Sequence, residues 1–109
     1  MRQQAGDQID VADQGGRTRA AIAGDFDMQA TFSVEPALEQ ALDRPGLEAL
    51  EIDLSRLHFV DSTGIGVLLR VEAEARERGV ALSIVPAPPE VHRVFEMSGV
   101  LDALPFSGR

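Results

Sequence analysis

The sequence predicts a single α/β domain with a mixed four- to five-stranded sheet and three to four helices, in the order β-β-α-β-α-β-α. Three observations predict it. Residues 49–55, ALEIDLS, alternate: Leu50, Ile52 and Leu54 face one way and Glu51, Asp53 and Ser55 the other, as in a half-buried strand. From Ser62 to about Arg78 the apolar spacing becomes helical, and Gly79 stands where a C-terminal glycine cap belongs. Val80 to Val85 then read as another strand, so strand, helix and strand form a right-handed crossover between parallel neighbours.

The remaining elements follow in chain order. Residues 1–8, MRQQAGDQ, are polar and read as a flexible tail, which leaves 9–109 as the domain. Ile9 and Val11 suggest a short first strand, and Gln14-Gly15-Gly16 a turn. Residues 18–26 pair back on that strand as a hairpin, which makes the sheet mixed. Ser33 reads as an N-cap with Pro36 in the first helical turn, and Val34, Leu38, Ala41 and Leu42 recur at helical spacing until Arg44-Pro45-Gly46. His58-Phe59-Val60 reads as an extension of the 49–55 strand after a local break. Val91, Val94 and Phe95 mark a third helix, and Leu101, Leu104 and Phe106 a last amphipathic turn or short helix.

Composition narrows the function. A chain of 109 residues suits one domain, and with no Trp or Tyr and only five Phe its core must come from Leu, Val, Ile and Ala. Eighteen acids against ten bases give a net charge of −8, which argues against a sequence-independent grip on nucleic acid or on an anionic membrane and fits a basic partner patch. Without Cys there is no disulfide, thiolate nucleophile or zinc-thiolate site, and His58 and His92 are too few for a histidine-rich metal site. No cofactor is expected. No apolar run approaches the roughly 18 residues of a membrane span and no signal-peptide pattern opens the chain, so a cytoplasmic location is the expectation.

The chemistry concentrates in FVDSTGIG, residues 59–66. A dinucleotide fingerprint would need a third Gly where Leu69 stands, a P-loop would need a Lys and the chain has none, and a nucleophile elbow would need Gly where Val60 precedes Ser62. Catalysis is therefore disfavoured. Asp61, Ser62 and Thr63 are all capping types at a helix start, yet one cap needs one side chain. A phosphate on Ser62 would add about −1.5 to −2 charges at a helix N-terminus that tolerates an anion. Asp61 has two roles open, capping the helix or orienting the Ser62 hydroxyl. Asp25 and Asp27 stand either near Ser62 or at a solvated strand end. Ile65 and Leu69 fall off the Leu68, Val71, Ala75 stripe, and either pack on a neighbouring helix or offer apolar contacts to a partner.

The segment LEIDLSRLHFVDSTGIGVLLR resembles the signature of STAS domains, above all bacterial anti-sigma factor antagonists. Gly24-Asp25-Phe26-Asp27, Arg78-Gly79-Val80 with the strand and prolines after it, and VHRVFEMSGV at 91–100 resemble the family's other blocks, so the likeness runs over about 9–106. It implies a substrate and binding module, not an enzyme. Unphosphorylated, such a protein binds an anti-sigma factor that is also a Ser/Thr kinase; phosphorylation of Ser62, with Thr63 as the neighbouring candidate, releases it; a phosphoserine phosphatase resets it. The candidate partner-binding residues, from the motif and its expected surroundings, are Asp25, Asp27, Asp61, Ser62, Thr63, Gly64, Ile65 and Leu69. A non-phosphorylated STAS scaffold subunit of a stress-signalling or lipid-transport complex is the alternative. Residues 28–33 read as a loop longer than the family's, near the binding surface.

Overall fold

The computed structural model describes residues 2–5 and 8–108. Strands β1 (Arg2–Ala5), β2 (Ile9–Gln14), β3 (Arg17–Phe26), β4 (Ala49–Val60) and β5 (Ala81–Val85) form one sheet in sequence order. Helix α1 (Met28–Leu42) links β3 to β4, α2 (Ser62–Arg78) links β4 to β5, and α3 (Pro89–Met97) follows β5. β1, β2 and β3 pair antiparallel, while β3, β4 and β5 run parallel, so the sheet is mixed as the hairpin predicts.

One line of residues shows how the sequence builds the core. Val11, Ala20, Ile52 and Ile84 stand side by side across four strands, and all are buried. Period-2 alternation puts their neighbours Ala12, Arg19, Glu51 and Ser83 on the opposite face. On that face Arg19 bonds Glu51 at 2.9 Å and also reaches Asp53. α1 contributes Val34, Leu38 and Ala41 to the core, α2 contributes Leu68, Val71 and Ala75, and α3 contributes Val91 and Phe95.

Two expectations change and two become specific. α1 begins at Met28, not after Ser33: Asp27 is its N-cap, and its side chain accepts the Ala30 N–H at 3.0 Å. The 28–33 loop is thus the first turns of a helix. Pro36 lies mid-helix, where it withholds an N–H from the Phe32 carbonyl. Both residues are exposed, so that carbonyl faces solvent rather than an apolar interior. The break near residue 56 is a pair of register shifts: Ala21 faces Asp53 but Ala23 faces Arg56, and Gly24 faces Leu57 but Asp25 faces Phe59. Asp53 holds the first irregularity by accepting the Ser55 N–H at 2.8 Å. The 1–8 tail is partly strand, since Arg2–Ala5 pair with β2. Gln8 also bonds back, its amide donating to the Ala23 and Asp25 carbonyls at 2.6 and 2.9 Å. Met1, Gly6 and Asp7 of that stretch lie outside the described residues. Finally, of the turn or short helix expected at 101–106 the structure has the turn, followed by a bridge that sets Phe106 beside Ile84 at the sheet's edge.

Candidate functional site

β3 and β4 end together. Phe26 stands opposite Val60, and parallel neighbours lie about 4.8 Å apart, so Asp27 and Asp61 leave the sheet side by side. Each is the N-cap of the helix it opens, with nearly the same extended backbone: φ −109°, ψ −172° at Asp27 and φ −117°, ψ −176° at Asp61. The positive ends of α1 and α2 therefore meet at one edge of the molecule. The two helices run back in parallel, tied midway by Arg70 to Glu35 at 2.9 Å and at their ends by Arg78 to Asp43 at 2.7 Å.

The surplus of capping residues in Asp-Ser-Thr resolves at this edge. Asp61 alone is the cap, and its Oδ1 accepts the N–H groups of Thr63 at 3.0 Å and Gly64 at 3.1 Å. Of its two possible roles, capping is the one the geometry gives it. Ser62 is the first residue of α2 and is exposed, and its hydroxyl bonds no other described residue. Thr63 is half-buried. A free, outward hydroxyl at a helix N-terminus can accept a covalent anion without losing any existing bond.

Gly64 is required for a reason other than turn flexibility. It does not have a positive φ. A Cβ there would lie 2.5 Å from the Phe26 carbonyl oxygen and 3.1 Å from Val60 Cγ2. The glycine lets α2 start directly against the end of β3, where the Asp61 N–H donates to that same carbonyl at 3.4 Å.

The other predicted residues divide. Asp25 is exposed opposite Phe59, and Asp27 is half-buried in its capping role, so both stand on the Ser62 edge. Ile65 is only 5% exposed and belongs to the core, which removes it as an open partner contact. Leu69 is half-buried against the same core. Sequence reasoning missed three apolar side chains around this edge: Met28 is 64% exposed, Phe32 79% and Phe59 48%. Met28 and Phe32 are four apart on α1 and share a face. Phe59 lines a groove of about 340 Å³ between the end of β4 and α3, with Val60, Pro88, Val91 and Val94. Read as a loop, 28–33 gave no helical face on which to see the first pair. Among the described residues no cluster of acids and histidines could hold a metal, and no helix is long and apolar enough to cross a membrane.

A family model described as "Mlab, STAS domain" matches residues 9–105. The chain belongs to the STAS domain family. Among named STAS relatives, the anti-sigma F factor antagonist of Paenibacillus polymyxa is 28% identical over 98 residues, covering 90% of this chain and 84% of that protein. The anti-sigma-B factor antagonist of Listeria monocytogenes is 31% identical over 83 residues, 76% of this chain and 72% of its own length. A crystal structure of an anti-sigma factor antagonist from Mycobacterium paratuberculosis superposes with a TM-score of 0.76 at 25% identity, over 94% of this chain and 86% of that one. The STAS domain described here thus spans most of each of these relatives.

Proposed function

We propose that the chain is an anti-sigma factor antagonist that binds an anti-sigma factor while Ser62 is bare and lets go when Ser62 carries a phosphate. It is a binding module, not an enzyme. The observation that carries the reading is the Asp61–Ser62 pair: the acid holds the helix start, and the serine hydroxyl beside it is exposed and uncommitted. The relatives named as anti-sigma factor antagonists supply the partner class.

A phosphate here acts locally. It lies exposed at the positive ends of two helices, so the fold accepts it. It also joins Asp25, Asp27 and Asp61 on the same edge, and a partner surface fitted to a neutral hydroxyl then faces added bulk and about 1.5 to 2 further negative charges. In this scheme the anti-sigma factor is itself the Ser/Thr kinase, a phosphoserine phosphatase reverses the mark, and the exchange takes place in the cytoplasm.

The test is intact-mass analysis after incubation with ATP and each kinase-type anti-sigma factor of the host. Wild type should gain one phosphate and Ser62→Ala none. Equal modification of Ser62→Ala would move the site to Thr63 or elsewhere. A chain that binds stably inside a larger complex and is never phosphorylated would instead support the scaffold reading.

A further inference from the structure

Gly66 is a glycine that the fold does not need. It lies within α2 without a positive φ, and a Cβ there would meet only the end of the Arg70 side chain, at an ordinary 3.6 Å. Glycine inside a helix is destabilising relative to alanine. Gly64, two residues earlier, has a steric reason to be glycine, and Gly66 has none among the described residues.

Its surroundings suggest one from outside. Arg70 bonds Glu35 across the two parallel helices. One turn back from Arg70 is Gly66, and one turn back from Glu35 is Phe32, with Met28 a turn further. The exposed Phe32 ring on α1 thus stands level with the half-buried Gly66 on α2, which the Arg70 guanidinium flanks, and Met28 lies a turn nearer the Ser62 edge. The edge above carries Asp25, Asp27 and Asp61, and the whole chain is at −8. No described residue covers Phe32, whose exposure is 79%.

We infer that Phe32, with Met28 beside it, is the apolar anchor that selects the anti-sigma factor, and that Gly66 is the notch into which that partner packs. The inference rests on the function proposed above and adds the specificity element of the same surface. The partner it fits carries an apolar pocket for one aromatic ring, rimmed by basic side chains that meet the three aspartates. Large rigid rings in the centre of an interface commonly dominate its binding energy, and complementary charge fixes orientation around them.

The experiment is calorimetric titration of purified host anti-sigma factors into the full chain and its variants, each also taken through thermal melting. Phe32→Ala should bind about 10-fold or more weakly with its melting temperature retained. Gly66→Ala should melt higher than wild type and yet bind more weakly, a pairing that a purely structural role does not give. Met97→Ala, equally exposed at 80% but at the far end of α3, should bind as wild type does. If wild type binds, Ser62→Asp does not, and Phe32→Ala and Gly66→Ala bind within twofold of wild type, this inference fails and the proposed function stands. If wild type binds none of the anti-sigma factors, both fall. If sedimentation shows wild type self-associating and Phe32→Ala monomeric, the surface belongs to a second copy of the chain and the inference is overturned.

Discussion

A methyl group at residue 64 would press on backbone, because the Phe26 carbonyl stands 2.5 Å from where it would sit. Backbone yields less than a flexible side chain, and overpacking of this kind costs about 1–3 kcal/mol. Gly64→Ala should therefore lower the denaturant midpoint clearly, and a midpoint equal to wild type would contradict the close approach of α2 to β3. The caps predict a graded result. Asp61 satisfies two helix N–H groups and Asp27 one. Alanine at either site should cost about 0.5–2 kcal/mol, with Asp61→Ala the more damaging in the same denaturant series. Ser62→Ala should be near neutral in stability, since its hydroxyl bonds no described residue. That separation of capping from the free hydroxyl was legible in the sequence as a surplus: three capping residues for one helix start. Which of them would cap was not, because all three types can accept the same N–H groups, and only the backbone at Asp61 decides.

The elements held together by buried periodicity were the legible ones. β4 and α2 announce themselves through Leu50, Ile52 and Leu54, and through Leu68, Val71 and Ala75, because burial forces those spacings. α1 was legible only in its second half. Met28 and Phe32 lie off its buried stripe, and Pro36 mimics a first-turn signal although it sits mid-helix on an exposed face. β1 carries no alternation to read. Residues 101–106 look amphipathic because Leu104 and Phe106 are buried, but the Phe106 N–H donates to the Leu104 carbonyl and the chain then runs beside β5. Exposure of Phe32 and Phe59 is a tertiary property, so no local pattern reveals it. At this scale the shared orientation of α1 and α2 has its own test. Arg78, raised in pKa by hydrogen bonds from its guanidinium to Asp43 and then Glu74, also donates to the Leu42 carbonyl at 3.0 Å, and so ties the end of α2 to the end of α1. Arg78→Ala should lower the melting temperature modestly at low salt and by less at high salt, since exposed ion pairs are screened. A loss that is large and independent of salt would point to packing instead of the ion pairs.

Among the described residues, one edge carries Asp25, Asp27 and Asp61, the Ser62 hydroxyl and the exposed rings of Phe32 and Phe59, while the core lies between the sheet and its helices. Ser62 is exposed, so a charge on its hydroxyl meets solvent rather than the buried contacts that begin at Gly64. With a net charge of −8, association with a basic-rimmed partner should be steered electrostatically, so its on-rate should fall as salt rises. An on-rate insensitive to salt would separate binding from the acidic edge. Whether a negative group at Ser62 switches binding without disturbing the fold is decided by one paired measurement. The phosphorylated and bare chains are each titrated against the same anti-sigma factor, and each is melted under the same conditions. Affinity should fall at least about 10-fold on phosphorylation while the melting temperature barely moves. Equal affinity of the two forms, or a phosphorylated chain that loses affinity only because it unfolds, would contradict it.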